Sequence, residues 1–221
     1  MRSELFGHNV ESATQERFAL QNPRMLRVRL EGDVMARQGS MVAYQGEMDF
    51  AYKGSGGVGK FLKKALTGEG VPLMRVTGRG DLFLAEDANE IHLITLEGDS
   101  VTVNGRNVLA FDSSLDWDIR RVEGASMMSG GVFNTVFTGT GQVAVMAHGT
   151  PVVLSVDAPT LADMQSAVAW STTLSTSVRR TATAGALIGR GSGEAFQLAF
   201  AGHGFVVVQA SEGPSVPPHS H

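Results

Sequence analysis

Three copies of one short pattern, a Gly-x-Gly set between apolar runs, constrain this chain more than any other feature. They read Arg75-Val76-Thr77-Gly78-Arg79-Gly80-Asp81-Leu82-Phe83-Leu84, Val136-Phe137-Thr138-Gly139-Thr140-Gly141-Gln142-Val143-Ala144-Val145 and Ala199-Phe200-Ala201-Gly202-His203-Gly204-Phe205-Val206-Val207-Val208. The first glycines stand at 78, 139 and 202, so the steps are 61 (139 − 78) and 63 (202 − 139) residues. A period of that size held along a chain signals repeated structural units. A second pattern interleaves with the first: Met41-Val42-Ala43-Tyr44, Asn107-Val108-Leu109-Ala110-Phe111 and Ala167-Val168-Ala169-Trp170. Each aromatic is followed four residues later by Met48, Leu115 or Leu174. Leu-Glu-Gly-Asp recurs upstream at 30–33 and 96–99. Two patterns alternating in triplicate predict three tandem modules, at about 24–88, 89–149 and 150–212. Residues 1–23 read as a lead-in, and the Pro-rich 213–221 as a disordered tail.

The modules read as β-structure. Leu26 to Leu30 alternates apolar with basic residues, as a half-buried strand does. Ile91–Leu96 and Ser100–Val103 are predicted strands joined by a hairpin turn at Glu97-Gly98-Asp99. Asn104-Gly105 is a second hairpin signal. Val152–Val156 and Phe205–Gln209 are rich in β-branched residues. The repeated Gly-x-Gly is predicted to sit at strand corners, where glycine supplies a positive φ and lets another strand approach. A single amphipathic helix is expected over 58–66, from Val58, Phe61, Leu62, Ala65 and Leu66. At 159–170 the repeat overrides a weaker helical signal and predicts a strand at 167–170. The expected fold is all-β: three modules with a pseudo-threefold repeat, with Tyr44, Phe111 and Trp170 buried at equivalent positions.

Chemistry is harder to find. The chain has no cysteine, so it offers no disulfide and no thiolate metal site. A net charge of −4 argues against a dedicated nucleic-acid binder. Residues 1–6 carry no apolar signal core, and no run approaches a membrane span. Gly54-Ser55-Gly56-Gly57-Val58-Gly59-Lys60 resembles a phosphate loop, but Phe61 stands where Ser or Thr would ligate magnesium. The alternating α/β pattern such a loop requires is missing as well. His148 and His203 lack ligand spacing, and Asp112, Asp116 and Asp118 around Trp117 form a carboxylate cluster expected to face solvent. We therefore expect no enzyme activity, cofactor or metal.

The Phe-x-Gly-x-Gly modules Phe137–Gly141 and Phe200–Gly204, the Val168-Ala169-Trp170 strand and the glycine-rich 124–133 resemble the altered inheritance of mitochondria protein twenty-four family, over about 24–210. The resemblance implies a β-sandwich, double-stranded β-helix architecture grouped with the tryptophan RNA-binding attenuation protein, and no catalytic residues. A mitochondrial member is associated with the inner membrane; without a transit segment at its start, this chain is expected to be cytoplasmic, with peripheral membrane contact as a second location.

One functional pattern remains. Nine residues after each repeat aromatic stands a cation, Lys53, Arg120 or Arg179, and the last two are doubled by Arg121 and Arg180. Apolar residues follow: Phe61 among Lys60, Lys63 and Lys64, then Met127 and Met128. Basic residues with apolar tips suit an oligomer interface or an anionic membrane. The expected function is a non-enzymatic binding or scaffolding protein that self-associates and contacts a membrane surface or partner protein. The alternative is a nucleic-acid-binding module, by fold analogy alone.

Overall fold

The computed structural model of the protein describes residues 2–51, 72–122, 133–180 and 196–211. Among these residues, apart from a helical turn at Leu5–His8 and a 3-10 turn at Gly105–Asn107, the regular structure is β. The strands are β1 (Phe18–Asn22), β2 (Met25–Arg37), β3 (Met41–Ala51), β4 (Leu73–Leu84), β5 (Glu90–Asn104), β6 (Val108–Asp112), β7 (Asp116–Arg121), β8 (Phe133–Ala147), β9 (Val152–Val156), β10 (Thr160–Asp163), β11 (Ala167–Ser171), β12 (Ser175–Arg180), β13 (Phe196–Ala201) and β14 (Gly204–Val208).

They fall into three antiparallel groups, and in each the last strand lies between the other two. In the first group β4 pairs with β2 and β3. In the second β8 pairs with β5 on one side and with β6 and β7 on the other. In the third the same places are taken by broken strands: β14 lies between β9 and β11, and β13 between β10 and β12. The groups are joined by two seams, β2 against β6 and β5 against β11. The result is one large sheet in the order β3-β4-β2-β6-β8-β5-β11-β14-β9, with β1 added on β2 and β7 on β8, and a small sheet β10-β13-β12.

The glycines act where the strands bend. Residues 133–138 of β8 pair with β7, whereas 143–145 pair with β6, so Gly139 and Gly141 lie where the strand changes partner. Both have positive φ, 121° and 157°. In the first group the glycines bring two backbones close together. Gly80 faces Gly46 across the β3–β4 pair, at φ 137° and 108°. A Cβ on Gly80 would overlap the carbonyl oxygen of Gln45, so the backbones touch where no side chain fits.

The pairing details recur from group to group. A one-residue register shift occurs between Met41 and Ala43, between Val108 and Ala110, and between Ala167 and Ala169. Tyr44, Phe111 and Trp170 each lie opposite the residue two past the second glycine, namely Leu82, Val143 and Val206. Phe111 and Trp170 are buried as expected, each with an edge-on aromatic neighbour: Trp117 at 5.6 Å and Phe200 at 5.4 Å between ring centroids. Tyr44 is not buried. It touches Phe50, yet among the described residues no further strand lies beyond its own to supply the cover that the seams give the other two.

Three local expectations change. Glu97-Gly98-Asp99 is no hairpin turn; β5 runs through it as one strand, with a bulge at Gly98 (φ 83°) that takes up the extra residue. Asn104-Gly105 does not connect paired strands either. The Asn104 side chain accepts a hydrogen bond from the Arg106 N–H and the chain crosses to β6, which joins β8 and β2 rather than β5. The lead-in contributes β1, with Phe18 fully buried against β2, so the body begins before residue 24. The helix expected over 58–66 and the tail lie outside the described residues, and 167–170 is a strand, β11.

The segment ahead of β1 is tied down by a buried arginine. Arg27, only 2% exposed, donates to the carbonyl oxygens of Ser12, Thr14 and Glu16 at 3.1, 2.7 and 3.2 Å. A guanidinium carries five N–H donors in a fixed fork, enough to hold three carbonyls. Arg27→Met is expected to keep the β1–β2 packing and free residues 11–16, read as earlier proteolytic cleavage there and as faster amide exchange at Arg29, whose N–H donates to Arg17 O. Unchanged cleavage would show that the segment is held by something else.

Candidate association surface

Of the basic and apolar residues singled out in the sequence, four lie among the described residues. Arg120 and Arg121 end β7, opposite Asn134 and Phe133. Arg179 and Arg180 end β12, opposite Gln197 and Phe196. The two pairs thus close strands in different sheets. Arg120 is well exposed, with its Nε 3.4 Å from Asp118 Oδ2, an exposed ion pair of the kind worth under about 1 kcal/mol. Lys53, Lys60, Phe61, Lys63, Lys64, Met127 and Met128 lie outside the described residues.

The carboxylate cluster is divided between separate tasks. Asp112 accepts from Arg17 Nε at 2.7 Å and from the Gln142 N–H at 2.8 Å. Asp118 faces Arg120, and Asp116 is exposed to solvent. Among the described residues no three His, Cys, Asp or Glu side chains are placed to hold a metal ion.

A polar cluster does form at the first seam. Asp33 accepts from Ser113 Oγ at 2.7 Å and from Arg75 Nε at 2.6 Å, while Arg17 donates to its carbonyl oxygen at 2.7 Å. A recess of about 250 Å³ bounded by Asp33, Arg75, Ser113 and Trp117 lies beside it. Burial alone would raise the Asp33 pKa; the Ser113 hydroxyl and the Arg75 and Arg17 charges outweigh it and hold the carboxyl below its ordinary value. A carboxyl with a depressed folded pKa stabilises the protein above its unfolded pKa, and that stability is lost as pH falls. Acid unfolding of the wild type, followed between about pH 5 and pH 2, should therefore be steeper than that of Asp33→Asn. Parallel curves would show that the cluster does not couple folding to protons.

The sequence reading missed what lies at the ends of the row of strands. Among the described residues β3 pairs only with β4, β9 only with β14, and β10 only with β13. On these strands large apolar side chains face solvent: Met41, Val42 and Tyr44 on β3, Val152, Val153 and Leu154 on β9, and Leu161 on β10. Natural edge strands are commonly shielded by charge, Pro or an inward Lys. Residues 41–46 and 152–156 contain none of these. The signal available in the sequence was the uncharged apolar character of Met41-Val42-Ala43-Tyr44 and Val152-Val153-Leu154; that these runs lie at edges follows only from the strand order.

A family model described as Mitochondrial biogenesis AIM24 matches residues 18–211. No curated protein matches the chain. Among solved structures, the crystal structure of the protein SPYM3_0169 from Streptococcus pyogenes is similar at a TM-score of 0.71 and 24% identity, over 88% of this chain and 92% of that one. At that identity the likeness concerns the fold.

Proposed function

Given that the chain belongs to the Mitochondrial biogenesis AIM24 family, we propose that it is a non-enzymatic scaffold that self-associates through its free strand edges. The observation behind this reading is the uncharged apolar run Met41-Val42-Ala43-Tyr44 on an outer strand. An outer strand presents unpaired N–H and C=O groups to any chain that can add to it. The arginines ending β7 and β12 supply a secondary contact to anionic surfaces, each worth about 1 kcal/mol at a charged bilayer.

Light scattering across a concentration series tests the reading. The wild type should gain mass with concentration, and Val42→Lys, which puts a charge on the edge without touching the core, should reduce that gain while melting at the same temperature. A wild type that stays monomeric throughout overturns the proposal. Flotation with vesicles containing anionic lipid tests the secondary contact, which fails if Arg120→Glu with Arg179→Glu floats as well as the wild type.

A further inference from the structure

The two seams inside the chain describe a third that it leaves unmade. At the first seam β2 meets β6 with Val34 opposite Asp112, Met35 opposite Phe111 and Ala36 opposite Ala110. At the second, β5 meets β11 with Val101 opposite Ser171, Thr102 opposite Trp170 and Val103 opposite Ala169. The registers correspond. Val34 and Val101 each sit across from the residue two before the first glycine of their own group, Val76 and Phe137. Met35 and Thr102, one residue on, therefore occupy one position, and each faces the aromatic of the following group.

In the last group the residue across from Phe200, two before Gly202, is Thr160. The position equivalent to Met35 and Thr102 is thus Leu161, and among the described residues no strand pairs with β10 on that side. In the first group the aromatic equivalent to Phe111 and Trp170 is Tyr44, on a strand that among the described residues pairs only with β4. Exposure follows this logic. Met35 and Thr102 are 4% and 7% exposed and Leu161 is 45% exposed; Phe111 and Trp170 are 0% and 2% exposed and Tyr44 is 48% exposed. The shifted residue behind the aromatic behaves in the same way. Leu109 and Val168 are wholly buried, Leu109 in one cluster with Leu26, Val28 and Leu30 of the preceding group, whereas Val42 faces solvent.

We propose that β10 of one copy pairs antiparallel with β3 of a second copy, Leu161 opposite Tyr44, Thr160 opposite Gln45 and Ala162 opposite Ala43, repeating between chains the seam made twice within each. The inference rests on the self-association proposed above and names its partner, register and direction. Among the described residues each copy has one free end of each kind. The contact is therefore heterologous, and it propagates head to tail until a ring closes or a filament forms. None of the six paired residues carries a charge.

The absence of native cysteine makes the test specific. Tyr44→Cys and Leu161→Cys are made as separate variants and mixed under mild oxidation. Residues directly opposite in antiparallel strands are about 4.5–5.5 Å apart at Cα, within the range a disulfide spans. A linked pair should form in the mixture and in neither variant alone. A chain carrying both substitutions should give a ladder of linked copies or a closed ring. If the wild type associates but linkage is missing from the mixture, or is as strong in either variant alone, this register is wrong and the scaffold reading survives. If the wild type never associates, both fall.

Discussion

Gly80→Ala is expected to lower the melting temperature by roughly 10 °C. The figure combines about 1–2 kcal/mol for a Cβ in a left-handed conformation with a further kcal/mol or more for parting packed backbones, at about 2–4 °C per kcal/mol in a chain of this size. The added atom has nowhere to go. It meets the Gln45 carbonyl oxygen directly and lies 3.0 Å from the Gly46 Cα, both backbone atoms of a paired strand. Gly32 provides the control, because it shares the unusual φ, 140°, and has open space around its Cβ position. Gly32→Ala should show the conformational cost alone, less than half of the Gly80 shift. Equal shifts in the two melts would mean that the β3–β4 crossing tolerates a side chain and that the bend is not set by close contact.

Phe111→Ala is expected to cost about 3–5 kcal/mol, as large-to-small changes at buried aromatics do. Its ring is fully buried between Trp117 and Phe137, with centroids at 5.6 and 4.8 Å, and it lies opposite Met35 at the first seam. Removing it opens a cavity bordered by two groups at once. Tyr44→Ala removes the same position from the uncovered end and should cost under about 1 kcal/mol in dilute protein, a surface-like value. Denaturant midpoints for the two variants test the contrast. Similar losses at dilution would show that Tyr44 is packed after all and that the end of the row is closed.

The contrast between Phe111 and Tyr44 also marks what a sequence of this kind conveys. Spacing identified both residues as the same position, and the pairing opposite Leu82 and Val143 agrees. Spacing cannot say which neighbour covers a position, because cover comes from a strand far away in the chain. Tyr44 was therefore expected to be buried like the others. Gly98 shows a second limit. Glu97-Gly98-Asp99 has the composition of a turn, yet its neighbours pair continuously with Thr140 and Gly139, and the glycine is absorbed as a bulge. Long-range pairing with β8 outweighs local turn chemistry. Asn104-Gly105 failed for a related reason: the turn forms, but β8 takes the place beside β5 that a hairpin would give to β6. Phe18 was overlooked because a short strand in a polar segment has no period to betray it. The association surface was half legible. Arg120, Arg121, Arg179 and Arg180 were found from their distance to the aromatics, whereas the apolar edges became visible only once the order of the strands was known.

The placement of the last strand between the first two has a consequence for a chain emerging from the ribosome. β2 and β3 are neighbours in sequence and do not pair with each other; both await β4. Between the end of β3 at Ala51 and the end of β4 at Leu84, about thirty more residues must be made, which takes roughly 2–6 s at ~5–20 residues per second. Throughout that interval β3 has neither edge satisfied, and the nascent first group offers two strands that lack β4 where the finished group leaves only the outer edge of β3 open. Crowded polysomes, where neighbouring nascent chains lie close together, are thus the place where premature strand exchange between copies has its longest opportunity.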